Sequence, residues 1–191
     1  MLVEAARLFA ERGFNKVTVR EICVAAKANV ASVNYHFGDK LGLYTEIVEQ
    51  SLTGLEDDTR QIVMADGGAD AKARLATFIR VLLQQLLSPS AETHAHQLLM
   101  HEMNDPTPML DAIARRVMRP RLSYLCKIVG ELMDRPPADR AVILSAASVQ
   151  AQCLMAKQTP MASMPGIDEL ADHITRFSLA GIRELRQGQD D

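Results

Sequence analysis

Tryptophan is absent from this 191-residue chain, and aromatic residues of all kinds make up 4% of it. A core without large rings must be filled by Leu, Ala, Val and Met, and ten methionines are present to help. Glycines and β-branched runs are too sparse for the turns and strands of a β fold, which leaves an all-α reading. Cysteine is scarce too. Cys23, Cys126 and Cys153 are odd in number and far apart, with no metal-ligand spacing. A disulfide framework is not expected, and a reducing cytoplasm is. The thiols read as buried structural groups, with a redox switch as the sharper alternative. Long apolar runs are also missing. The longest uncharged stretch, Ala141 to Ala156, falls short of the ~18 residues that a membrane span needs. It reads as a helix buried on more than one side. Glu4 and Arg7 interrupt the first ten residues, so no signal peptide is expected.

Catalytic signatures are lacking as well. There is no glycine-rich phosphate loop, no convincing carboxylate pair and no serine patterned with a histidine, so no enzyme is expected. His94, His96, His101 and Glu102 invite a metal reading. His94 and His96 cannot share a helix face, however, and no second cluster completes the set. Neither a metal nor a cofactor is expected.

What is present is a series of helical blocks cut by breakers. "DGGAD" (66–70), "SPSAE" (88–92), "NDPTP" (104–108), "DRPPAD" (134–139) and "QTPMASMPG" (158–166) separate blocks near 70–88, 94–103, 108–133, 138–157 and 167–187. Pro120 is predicted to kink the 108–133 block. The last block shows Leu170, Ile174 and Phe177 as an apolar stripe.

The first fifty residues carry the densest pattern. Ala5, Leu8 and Phe9 give a first helix its buried stripe, and Gly13 stops it. Thr18 and Glu21 fit a capping box that opens a second helix, with Ile22, Ala25 and Ala26 inward. Asn29 suits the N-cap of a third. There Val30, Val33 and Phe37 are predicted inward, and Ala31, Ser32, Asn34 and Tyr35 outward with His36 at the flank. Tyr35 also admits a core reading, its hydroxyl staying wet. Gly38 ends this helix, and Asp39 can cap the next. Arg20 and Lys40 place cations at helix N-termini, against the dipole, which an external anion would resolve. From Arg12 to Lys40, five basic residues (Arg12, Lys16, Arg20, Lys27, Lys40) outweigh Glu21 and Asp39 in a chain of net charge −3. A basic face on an acidic body suits phosphate binding. Helix, short turn and short polar-faced helix form a helix-turn-helix pattern. Ala31 and Ser32 are small enough to enter a major groove, Asn34 can pair with adenine, and Tyr35, His36 and Lys40 can donate to phosphates.

The stretches "AARLFAERGFNKVTVREI" and "NYHFGDKLGLY" resemble the DNA-binding domain of the TetR family of bacterial transcriptional regulators. "VNYHFG" and the later "HQLLMHEMNDPTPMLDAIARRVMRPRL" (His96 to Leu122) resemble its CecR-like branch. The resemblance implies a helix-turn-helix domain over residues 1–50, with its motif near 18–37, and a regulatory and dimerisation domain over 51–191. It implies a sequence-specific regulator, a repressor released from a palindromic operator by a small-molecule effector. By family position the DNA contacts fall to Thr18, Arg20, Lys27, Asn29, Ala31, Ser32, Asn34, Tyr35, His36 and Lys40. Homodimerisation is expected through the helices near 138–157 and 168–187. An effector pocket is expected among Phe78, Leu82, Met100, Met103, Met118 and Tyr124, although each also fits a plain core role. Two departures stand out. Lys27 occupies the turn position where the family usually has glycine, and at positive φ it would cost ~1 kcal/mol. The sequence also begins almost at the first helix, where many members carry a basic arm. These departures support the alternative of a helical small-molecule-binding protein that has lost DNA binding.

Overall fold

The computed structural model describes residues 1–64, 70–87, 94–158 and 166–187. Every regular element among them is helical: α1 (Leu2–Arg12), α2 (Val19–Ala25), α3 (Val30–Phe37), α4 (Lys40–Met64), α5 (Ala71–Leu87), α6 (His94–Asn104), α7 (Leu110–Ile113), α8 (Arg119–Met133), α9 (Arg140–Gln158) and α10 (Ile167–Gln187). The expected breaks at 66–70, 88–92 and 158–166 fall almost wholly outside the described residues. The block expected over 108–133 is not one helix. α7 gives way to a π-helical turn, Ala114–Met118, and α8 begins immediately before Pro120. Proline lacks the N–H that would bond the carbonyl four residues back, and the widened turn absorbs that loss.

The helices fall into two compact units. One comprises Met1–Asp57 and Glu92–Val117, the other Asp58–Ala91 and Met118–Asp191. In the first unit three of the scarce aromatics gather. The Tyr44 ring meets Phe9 edge-on at 5.0 Å and lies 4.9 Å from Phe14. α6 packs along α1: His101 Nε2 lies 2.9 Å from the Ala10 carbonyl, so the ring nitrogen donates there. The same ring crowds Gly13, whose φ of 80° and proximity to His101 both disfavour a side chain. Asn15 donates to Asp105 at 2.7 Å. Arg116, on the π turn, reaches back to α4, bonding Glu56 through two nitrogens at 2.5 and 3.0 Å and Glu49 at 2.6 Å.

The second unit has an aliphatic core in which Leu75, Ile79 and Leu83 of α5 meet Leu125 and Val129 of α8 and Val142 and Val149 of α9. On α10 the buried stripe runs Leu170, Ile174, Ser178, Ile182. Phe177, the third residue of the apolar stripe read from the sequence, is 65% exposed. A stripe read at i, i+4, i+7 fits the sequence as well as one at i, i+4, i+8, and packing selected the latter. Cys23, Cys126 and Cys153 are all buried. Desolvation raises the Cys126 thiol and pushes Cys153 up to about 12, which leaves little reactive thiolate and favours the structural reading. None of the helices, among the described residues, is long and apolar enough to cross a membrane.

Candidate nucleic-acid interface

The helix-turn-helix is built from three local devices. The first is the capping box. Glu21 N–H donates to Thr18 Oγ1 at 3.2 Å, and Glu21 Oε2 accepts from Thr18 N–H at 2.8 Å and from the Thr18 hydroxyl at 2.7 Å. Arg12 adds a bond to Glu21 Oε1 at 2.9 Å and another to the Lys16 carbonyl at 2.7 Å. The Thr18 hydroxyl, the Thr18 N–H and Arg12 together hold the Glu21 carboxyl at about 2. A depressed carboxylate stabilises the fold at every pH above its ordinary range near 4.5, and that contribution fades as pH falls toward 2. Glu21→Gln should therefore lower the melting temperature at pH 7, with the gap to wild type shrinking at pH 3. A gap that persists undiminished at pH 3 would show that the charge is not what matters.

The second device is the turn. Lys27 has φ 51°, the left-handed conformation that its position demands. Lys27 N–H donates to the Val24 carbonyl at 3.3 Å and Ala28 N–H to that of Cys23 at 2.9 Å. These are the two bonds of a Schellman closure, made here without the usual glycine. The departure from the family pattern leaves the turn geometry intact.

The third is α3 itself. Asn29 caps it, accepting from Ala31 N–H at 2.7 Å. Val33 is its one buried residue. Phe37 is half-buried, and Val30, expected inward, is 43% exposed. Ala25 of α2 is likewise exposed, while Cys23 takes the inward place. A two-turn helix resting on another short helix cannot cover three of its own positions. Tyr35 is 85% exposed, which removes its core reading.

All ten residues expected at DNA lie in the first unit. Thr18, Arg20, Lys27, Asn29, Ala31, Asn34, Tyr35 and His36 are exposed, and Ser32 and Lys40 are half-buried. Besides Asn29, which caps α3, two of them already have work within the fold. The Thr18 hydroxyl proton is committed to Glu21, so donating to a phosphate would compete with the cap. Lys40 Nζ stands 4.2 Å from the centre of the Phe14 ring, a cation–π contact that offsets its poor place at a helix N-terminus. Asp39 caps α4 by accepting from Gly42 N–H at 2.8 Å.

The six residues expected around an effector do not share a unit. Phe78, Leu82, Met118 and Tyr124 belong to the second, where Phe78 and Leu82 are buried and the Phe78 and Tyr124 rings stand 6.3 Å apart. Met100 and Met103 lie on α6 in the first, Met103 exposed. Sequence reasoning missed what His101 and Glu102 do. His101 braces α1, and Glu102 accepts from the Tyr44 hydroxyl at 2.7 Å. No local pattern marks a bond across 58 residues.

Known proteins match this architecture. The model of the bacterial regulatory proteins of the tetR family matches residues 1–47, and that of the C-terminal domain of the HTH-type transcriptional dual regulator CecR matches residues 71–182. The HTH-type transcriptional repressor KstR2 of Rhodococcus jostii (strain RHA1) is 28% identical over 130 residues, which cover 68% of this chain. The match spans only 56% of that relative's length. AibR in complex with isovaleryl coenzyme A and operator DNA has the same fold at a TM-score of 0.71 and 17% identity, over 92% of this chain and 94% of that one. The ketosteroid transcriptional regulator KstR2 of Mycobacterium tuberculosis does so at 0.64 and 21%, over 94% and 91%. With more than half of its length matched by the CecR-type domain and its front by the tetR-type one, the chain belongs to the TetR family of bacterial transcriptional regulators, in its CecR-like branch.

Proposed function

We propose that the chain is a cytoplasmic, sequence-specific repressor that binds a palindromic operator as a homodimer and leaves it when a small molecule binds. The observation that carries the reading is the outward face of α3: small and polar side chains, exposed on a helix held by one buried residue and closed at its entrance by an intact turn. In this reading Ala31, Ser32 and Asn34 face bases, and Arg20, Lys27, Asn29, Tyr35, His36 and Lys40 face phosphates, with Thr18 at the cap. The alternative of lost DNA binding has less support, since Lys27 does not disrupt the turn.

Residues 1–50 serve as the DNA-binding domain and 51–191 as the regulatory one in this proposal. Dimerisation through α9 and α10 is supported by their exposed apolar side chains. Leu144, Phe177 and Leu185 flank a cleft of about 310 Å³ on these helices. Paired with a second copy, two recognition helices would stand about 34 Å apart, as a palindrome requires. For the effector we infer an apolar or acyl compound contacting Phe78, Leu82, Met118 and Tyr124 of the second unit. The isovaleryl coenzyme A bound by AibR and the ketosteroid role of KstR2 support that class.

An electrophoretic shift with the region upstream of the protein's own gene tests the reading. A sequence-dependent, salt-sensitive shift is expected, reversed by an acyl coenzyme A but not by free coenzyme A. No shift at micromolar dimer would overturn DNA binding, and no reversal by either an acyl coenzyme A or an apolar steroid would overturn the effector class. Lys27→Gly separates the two roles of that residue. Relieving left-handed strain should stabilise the fold by about 1 kcal/mol. Losing a phosphate contact should weaken all sequences about equally and lower the salt slope by roughly one unit. An unchanged slope would mean that Lys27 stays clear of the backbone.

A further inference from the structure

Val30 is the first residue of α3, a β-branched apolar side chain left 43% exposed beside the polar groups of the outward face. The short helix covers only part of this side chain, and valine is a middling helix former, so the uncovered part serves neither the core nor the helix. Its neighbours are informative. Asn34 lies four residues on, which places the two side chains on the same face, one turn apart. Ala31, between them in sequence, adds no bulk that would hold the backbone away from a surface.

The floor of the major groove offers one apolar group, the C5 methyl of thymine. A helix advances about 6 Å in four residues, close to two base-pair steps of about 3.4 Å. We infer that Val30 is a specificity-determining residue, its methyls packing on the C5 methyl of a thymine within about two base pairs of the adenine read by Asn34. The inference rests on the base-reading role proposed for α3 and adds a branched apolar contact to a set of small and polar side chains. The exposed valine is then a reading head that selects thymine over cytosine or uracil by shape and desolvation.

Deoxyuridine isolates this contact, because it removes the methyl and keeps the pairing and the O4 acceptor. Preferred duplexes are selected from a random pool with the wild-type protein, and each thymine of a half-site is then replaced in turn. At one thymine near the Asn34-dependent adenine, uridine should weaken binding about fourfold, the worth of one buried methyl. Val30→Ala should lose affinity for the thymine duplex and become indifferent to uridine there, while Val30→Thr, which keeps one methyl, should retain part of the discrimination. Melting curves confirm that both variants are folded. Tolerance of uridine at every thymine, or a full uridine penalty surviving in Val30→Ala, overturns the inference while leaving DNA recognition standing. Failure to select any sequence overturns both.

Discussion

Gly42→Ala should destabilise the first unit by about 3 kcal/mol, the upper end of what forced overpacking costs, and abolish operator binding with it. The direction runs against the general rule. Glycine inside a helix is ordinarily worse than alanine by up to ~1 kcal/mol, so replacing it stabilises. Gly42 sits in the first turn of α4, where the chain leaves α3. A β-carbon at this position would overlap the Phe37 carbonyl oxygen, which is backbone and cannot swing aside. Relief would require α3 to shift against α4, and α3 is the helix proposed to enter the groove. Gly54 supplies the control from the same helix. A β-carbon there meets nothing within 4 Å. Gly54→Ala should therefore stabilise modestly and leave DNA binding intact. Thermal melts and shift assays on the pair decide the matter: equal behaviour of the two variants would contradict the close approach of α3 and α4.

Glu102→Ala should cost about 3–5 kcal/mol, because it strands the buried Tyr44 hydroxyl and two half-buried donors of Thr107 and opens a cavity. Glu102 is 1% exposed, and its carboxylate accepts from the Tyr44 hydroxyl at 2.7 Å, the Thr107 hydroxyl at 2.7 Å and the Thr107 N–H at 3.0 Å. Tyr44 is fully buried. Burial first, and then the bond to Glu102, raise its phenol far above the ordinary tyrosine range, so it stays a donor. Tyr44→Phe removes one donor and strands none, since Glu102 keeps both Thr107 bonds, and should cost only about 1–2 kcal/mol. Denaturant unfolding of both single variants and of the double variant measures the coupling. Strict additivity would show that the bond contributes nothing. Through this network and through His101 on Ala10, α6 braces α1 and α4 within one compact unit. The support of the helix-turn-helix unit thus includes residues far along the chain from the motif itself.

Much of the motif was legible because its determinants are local. The Thr18–Glu21 box, the Asn29 and Asp39 caps, the Gly13 and Gly38 stops and the strained Lys27 turn each depend on residues within four positions. The helices α5, α9 and α10 were likewise readable from long periodic blocks between breakers. The errors were of another kind. Val30 and Ala25 each satisfied an inward helical period and emerged exposed. Periodicity gives the direction of an apolar stripe only to within about one residue, because 3 and 4 both approximate 3.6.

The amino-acid sequence by itself determined the helices, their caps and the helix-turn-helix, since hydrogen bonds between near neighbours and the periodicity of apolar residues specify those. Only the tertiary structure decided which faces are covered, why Gly42 has no room for a side chain, and that Glu102 bonds Tyr44 from 58 residues away. The physical reason is that close packing and buried hydrogen-bond satisfaction are properties of what meets in space, and a single chain read in order does not name the atoms on the other side.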